Sequence, residues 1–347
     1  MLILISWPFN NRAYTRLGID TLEANKVEFK ILNLFELLYP ESKECSFDRI
    51  VHENEITIQS LWELKNYFKK DEIILNYLNI KRKTLKVFLL LSAFRVNYIS
   101  ISNMPIPSKK NQKLKILNFF LHESKYGAVV QRKEEYPFSR RTKFIYIHSI
   151  DYDTMIRFER KSQDRIVKEN YIVFLDQNLP FHLDFKRNNT KPYVTAEKYY
   201  TSLNNYFDYL EKKLNKKVVI ASHPNSDGKK YFNKICIKDN TINLIKYSDS
   251  VLIHCSTALS FAIIYNKPIS MIVTDEIVSS KMQIFNKFLS KELAIPMINI
   301  DKSREINFVE SNENFLQYKS KYITQSSYID LLSMEILLNN LKYREEK

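Results

Sequence analysis

Residues 218–224 read Val-Val-Ile-Ala-Ser-His-Pro, and residues 244–265 read Leu-Ile-Lys-Tyr-Ser-Asp-Ser-Val-Leu-Ile-His-Cys-Ser-Thr-Ala-Leu-Ser-Phe-Ala-Ile-Ile-Tyr. Val218–Ala221 is a short unbroken apolar run, the pattern of a strand buried on both faces. It stops at Ser222-His223-Pro224, and Pro224 cannot extend a ladder, so His223 falls at the strand's carboxyl end. Val251–His254 is a second such strand. Past Ser256-Thr257 the apolar positions Leu259, Ile263 and Ile264 take helical spacing, which predicts a helix capped by Ser256 or Thr257. A His and a hydroxyl-bearing helix start, both at strand ends, are groups that hold an anion such as phosphate.

The same alternation runs outward in both directions. Upstream, strands are expected at Leu2–Ser6, Val27–Leu32, Ile73–Leu75, Tyr98–Ser102 and Phe144–His148. Helical spacing between them covers 13–24, 59–68, 84–94 and, in a basic stretch, 109–122. Residues 125–141 are polar and read as a loop. Asp151–Lys168 reads as a helix leading into a second half, which restarts with a strand at Tyr171–Asp176. Later strands are expected at Ile269–Val273 and Met297–Ile300, and a closing helix at Tyr328–Leu341. The aromatic run Tyr199, Tyr200, Tyr206, Phe207 and Tyr209 on the helix 197–213 reads as core packing. Two strand–helix series without a shared motif predict an α/β chain of two Rossmann-like domains, 1–165 and 166–347, facing each other across a cleft. The last helix is expected near the domain junction.

Composition narrows the function. Among 347 residues Gly occurs three times, at Gly18, Gly127 and Gly228, so neither a Walker loop nor a dinucleotide fingerprint can be written here. Cys45, Cys236 and Cys255 are odd in number and far apart, as expected of reduced thiols in the cytoplasm. No secretion signal is expected at Met1–Trp7, and the longest apolar run, Val87–Phe94, is too short to span a membrane. Residues 81–143 hold fifteen Lys/Arg against three Glu, and the whole chain carries a net charge of +14. Such a basic face suits an anionic glycan, a lipid-linked acceptor or a charged membrane surface. Lys109, Lys110, Lys113 and Lys115 are its expected centre. No nucleic-acid module accompanies the charge, so no nucleic-acid partner is expected.

A third candidate site follows Tyr171–Asp176. Its loop, Asp176-Gln-Asn-Leu-Pro-Phe-His-Leu-Asp184, places Asp176 and Gln177 at a strand end and His182 and Asp184 beyond Pro180. Asp176 reads as a brace, and Asp184 or His182 as a group able to take a proton from a hydroxyl.

The order Asp176-Gln177, His182-x-Asp184, His223-Pro224, Ser256-Thr257 resembles bacterial sialyltransferases and their relatives in capsule and lipopolysaccharide synthesis. The resemblance covers mainly residues 171–275. It implies the GT-B fold and a CMP-activated sialic-acid-like sugar or Kdo as donor. A His and a helix start stabilise phosphate charge without metal, and no Asp-x-Asp element stands at a strand end, so no cofactor or metal is expected. The resemblance also implies that His223 and the Ser256-Thr257 pair hold the donor phosphate, and Pro224, Asp176 and Gln177 are expected beside them as nucleotide-binding residues. It implies cytoplasmic action, at the inner face of the membrane where the basic segment associates with it. The family's acidic motif has two adjacent carboxylates followed by Gly, whereas this chain has His182-Leu183-Asp184-Phe185. Asp184 is the expected base, His182 its substitute, and Asp151 or Asp153 the remaining carboxylates. The His-Pro motif also recurs in GT-B enzymes that use nucleoside-diphosphate sugars and in sugar-nucleotide epimerases. A non-catalytic polysaccharide-assembly protein is the third possibility.

Overall fold

The computed structural model describes residues 1–42, 49–69, 72–103, 124–130, 142–182, 185, 190–226, 228–324 and 327–345. The four lysines of the basic segment named above, and Asp184, lie outside the described residues. The chain forms two compact units, Met1–Asp153 with Thr324–Lys347, and Thr154–Ile323.

The first unit is built on seven parallel strands: β1 (Leu2–Ile5), β2 (Lys30–Asn33), β3 (Glu55–Thr57), β4 (Ile74–Asn76), β5 (Tyr98–Ser102), β6 (Tyr126–Val129) and β7 (Lys143–Tyr146). Their spatial order is β3-β2-β1-β4-β5-β6-β7. The central β1 is buried along its whole length, as its unbroken Leu-Ile-Leu-Ile run requires. β6 corrects the loop expected at 125–141. It lies between β5 and β7, and Ala128 and Val129 are fully buried, but its apolar run is hidden inside a basic stretch.

The structure also corrects the place of the chain's end. The helix Ser333–Glu345 belongs to the first unit, although it follows the whole second half in sequence. Met334, Ile336, Leu337 and Leu338 fill the core cluster around Ile3, Ile5, Leu17 and Leu22. Ahead of the helix, the Ser333 N–H and hydroxyl both donate to Asp153 Oδ1 at 2.9 Å. His148 is fully buried beside them, its ring nitrogens 2.7 Å from Thr324 Oγ1 and 3.0 Å from Tyr328 O. Burial pushes the His148 pKa down. Asp153 is thus engaged in seating the returning segment.

The helix expected over 13–24 is two, Asn11–Arg16 and Ile19–Ala24, broken at Gly18. Gly18 has φ +68°, and a Cβ there would lie 2.8 Å from Met334 Cβ. Gly18→Ala should therefore destabilise the protein by about 1–3 kcal/mol, from left-handed strain plus displacement of the closing helix. Chemical denaturation measures this, and an unchanged midpoint would show that the helix gives way freely.

The second unit has six parallel strands: β8 (Tyr171–Leu175), β9 (Lys217–Ser222), β10 (Ile235–Lys238), β11 (Ser250–Ile253), β12 (Ile269–Val273) and β13 (Met297–Asn299). Their order, β10-β9-β8-β11-β12-β13, is that of a doubly wound nucleotide-binding sheet, and it reverses between β8 and β11. The helix Ala196–Leu214 lays Tyr199, Tyr200, Leu203, Tyr206, Phe207 and Leu210 into the core of this unit, so its aromatic run is packing, as its spacing predicts. It ends at Asn215, which takes the left-handed conformation common past helix ends. Both units have the Rossmann-like form expected of each half. No helix among the described residues is long and apolar enough to cross a membrane.

Candidate functional site

In an open parallel sheet, ligands bind outside the carboxyl ends of the strands, where the strand order reverses. In the second unit that point lies between β8 and β11. The loops leaving β8, β9 and β11 carry Asp176-Gln177, His223-Pro224 and Ser256-Thr257 respectively. Strands β9, β8 and β11 are neighbours in that order, so the three sequence motifs meet at one edge. His223 and Ser256 leave strands two spacings apart, roughly 10 Å. One phosphate group with a hydrogen bond on either side spans about that gap.

Asp176 directly follows β8 and is buried. Its Oδ1 accepts from the Asn178 N–H at 2.8 Å, and its Oδ2 from the His223 N–H at 3.4 Å. Burial pushes its pKa above the ordinary carboxylate range, against the pull of these donors. Asp176 therefore acts as the brace its position suggested. Asn178 extends the brace: it is left-handed, with φ +50°, and its side-chain amide donates to Asn225 O at 3.1 Å.

His223 is half-buried, and its Nδ1 accepts from the Asn225 N–H at 3.2 Å. In the neutral ring the proton then sits on Nε2, which makes that nitrogen a donor. Pro224 is exposed in the turn that follows. The His182 ring lies 5.5 Å from the His223 ring, centroid to centroid, so the loop after β8 does bring His182 to His223.

The β11 loop departs from the expected helix cap. The helix is Leu259–Ile264, only six residues, and its cap residue is Ala258. Ser256 Oγ instead accepts from the Ala258 N–H at 3.2 Å, and the Leu259 N–H donates to Ser256 O. Successive tight turns thus precede the helix, and so short a helix has little dipole to offer. What the loop does offer is Thr257, exposed, and Ser256, half-buried. Among the described residues nothing accepts from the backbone N–H groups of these two.

Gln177 and His254 hold this loop. Gln177 spans the gap between β8 and β11: its Nε2 donates to Cys255 O at 2.5 Å, and its Oε1 accepts from the Cys255 N–H at 3.3 Å. The side chain of Gln177 is therefore engaged by protein backbone. Burial pushes the Cys255 thiol up to about 12, so it is no nucleophile. Just before it, His254 is fully buried. Its Nδ1 lies 2.5 Å from Ile272 O, so Nδ1 carries the proton and Nε2 accepts from the Tyr199 hydroxyl at 3.0 Å.

Burial lowers the His254 pKa to about 4. Because the folded value lies below the unfolded one of about 6.5, the unfolded chain binds the extra proton. The stability tied to neutral His254 is fully present above pH 6.5 and is lost as pH falls towards 4. The loss should reach a few kcal/mol. Denaturation midpoints at pH 7.5 and 4.5 test this: His254→Asn should be less stable than wild type at pH 7.5 and change less between the two. Equal acid sensitivity in both proteins would count against His254 as the cause.

Along the same edge, beyond β12 and β13, a cavity of about 500 Å³ is lined by Glu197, Lys198, Thr201, Thr274, Asp275 and Asp301. Carboxylates and hydroxyls of this kind accept from sugar hydroxyls, and Lys198 sets one cation among them. Among the described residues no group of three or more His, Cys, Asp or Glu is placed to hold a metal ion.

Comparison with protein-family models and with curated protein sequences gives no match. Solved structures do match in fold. A wall teichoic acid polymerase, TagF, is 10% identical, with a TM-score of 0.53 over 99% of this chain and 89% of that chain. The UDP-GlcNAc 2-epimerase from Methanocaldococcus jannaschii is 12% identical, with a TM-score of 0.51 over 99% of each chain. The same epimerase in complex with UDP-GlcNAc and UDP is 13% identical, again with a TM-score of 0.51. These likenesses place the chain in the GT-B fold class, with two Rossmann-like domains.

Proposed function

We propose that the chain is a glycosyltransferase that uses a nucleotide sugar to build a bacterial surface polysaccharide. The observation that carries this reading is the convergence of His223 with Ser256 and Thr257 at the point where the second sheet reverses its strand order. A His donor, two hydroxyls and open backbone N–H groups are a set that neutralises charge on a departing nucleotide phosphate. The set needs no metal, and transfer should proceed unchanged in EDTA. The fold likeness to a teichoic acid polymerase supports polymer synthesis. The acceptor is an anionic glycan or a lipid-linked one, drawn to the basic segment 81–143. Lys81, Arg82, Lys83 and Lys86, at its start, are exposed. Peripheral association with the cytoplasmic membrane face follows from the same charge.

The nucleotide remains the discriminating variable. The order of the motifs supports a CMP-linked nonulosonic acid or Kdo. The likeness to an epimerase solved with UDP-GlcNAc and UDP supports a UDP-linked neutral sugar. The carboxylates and hydroxyls of the 500 Å³ cavity suit a hydroxyl-rich sugar, and Lys198 among them leaves its charge open to either donor. A thermal-shift series with CMP, CDP, UDP and GDP separates the two, since a ligand that binds only the folded state raises the midpoint. Selective stabilisation by CMP supports the acidic-sugar donor, and by UDP the neutral one. If none of the four stabilises the protein, the donor-site reading is wrong.

The epimerase likeness also gives a second reading, conversion of a nucleotide sugar without an acceptor. An epimerase changes the donor alone in solution. A transferase releases nucleotide in step with acceptor.

A further inference from the structure

Gln177 stands where a ligand contact was expected, yet both ends of its amide are taken by the backbone of Cys255. The two bonds reproduce the pairing that one strand residue makes with its neighbour, but through a side chain and beyond the end of the sheet. They join residues 78 positions apart across the point of strand reversal. On the other side of β8, Asp176 accepts from the His223 N–H and Asn178 donates to Asn225 O. The three consecutive residues Asp176-Gln177-Asn178 therefore hold the loops of both neighbouring strands. Gln177 alone reaches the loop that carries Ser256 and Thr257.

Besides this clamp, the entry of that loop is held by His254 and by the Cys255 side chain, which packs against the core of the unit. His254, its last fully buried residue, is anchored to Ile272 and Tyr199, and Cys255 is next. Ser256 and Thr257 follow, and the helix behind them is only six residues long. The orientation of the Cys255 peptide thus decides where Ser256 and Thr257 begin. We propose that Gln177 is a positioning residue: by clamping the Cys255 peptide it sets the Ser256-Thr257 loop at the spacing from His223 that lets both sides hold one phosphate group. This inference rests on the donor-phosphate reading of the site, and it identifies what makes His223 and the hydroxyls a single site.

Geometry of this kind is worth much to a reacting phosphate, because a displacement of about 1 Å can cost on the order of 100-fold in rate. Gln177→Glu keeps the acceptor for the Cys255 N–H but sets a carboxylate against Cys255 O. Gln177→Ala removes both bonds. Each variant should bind the stabilising nucleotide of the CMP, CDP, UDP and GDP series about 10- to 100-fold more weakly than wild type. The decisive measurement combines Gln177→Glu with Ser256→Ala and Thr257→Ala. If Gln177 acts through this loop, the combined loss in nucleotide affinity is clearly smaller than the sum of the separate losses. A residue that merely supports folding gives additive losses. Additive losses, or wild-type affinity in both Gln177 variants, overturn the proposal while leaving the donor site intact. Failure of all four nucleotides to stabilise wild type overturns the donor-site reading itself. Should Gln177→Ala fail to fold, the near-isosteric Gln177→Glu carries the comparison.

Discussion

Replacing His223 with Ala should lower turnover by about two to three orders of magnitude, the scale for losing one donor that meets charge developing in a transition state. The structure makes this substitution a clean probe. The bond that ties this residue to Asp176 comes from its backbone N–H, which Ala keeps. Among the contacts the side chain gives up are that of Nδ1 with the Asn225 N–H and its place beside His182. The sheet edge should therefore stay in place while the Nε2 donor disappears. Nucleotide affinity should fall by less than turnover, because phosphate charge grows as the bond to the sugar breaks. Ser256→Ala and Thr257→Ala should each cost less, since the backbone N–H groups of their loop remain. Steady-state kinetics and nucleotide titration of His223→Ala measure both quantities. If affinity and rate are both unchanged, the phosphate site lies elsewhere and the reading of residues 218–265 fails.

The motifs behind this prediction were legible because each interrupts a strand that is buried on both faces. β9 is buried past its first residue and β11 along its whole length, and Ser222-His223-Pro224 and Ser256-Thr257 mark where each run stops. The strands that escaped notice lack that signal. β3 is three residues long, and β10 is half exposed at the edge of its sheet. β6 is buried, but charged neighbours conceal it. The clamp of Gln177 on Cys255 could not be read from the sequence, since it joins distant residues through a side chain with no periodicity of its own. The destination of Ser333–Glu345 was hidden for a related reason. An apolar face shows that a helix packs, not on which unit. Only the contacts with Gly18 and Asp153 decide that.

Asp184→Asn should lower transfer by about 10²- to 10⁴-fold, the range for losing a general base, and leave nucleotide affinity unchanged. The residues ahead of Asp184 lead to the proposed phosphate site. The loop leaves β8 through left-handed Asn178 and a short turn at Leu179–Phe181, and His182 then comes to within 5.5 Å of His223. Asp184 is the next carboxylate in the sequence after His182. A base must meet the acceptor hydroxyl beside the bond that breaks, so a residue of this loop is suited to the role, whereas Asp153 is engaged with Ser333. His182→Ala separates the two candidates. If Asp184 is the base, His182→Ala costs less than about tenfold and the acidic limb of the pH–rate profile stays where it is. If His182 is the base, its removal abolishes that limb, and Asp184→Asn is the mild variant. Transfer near the wild-type rate in both variants would mean that the proton is taken by a group outside this loop.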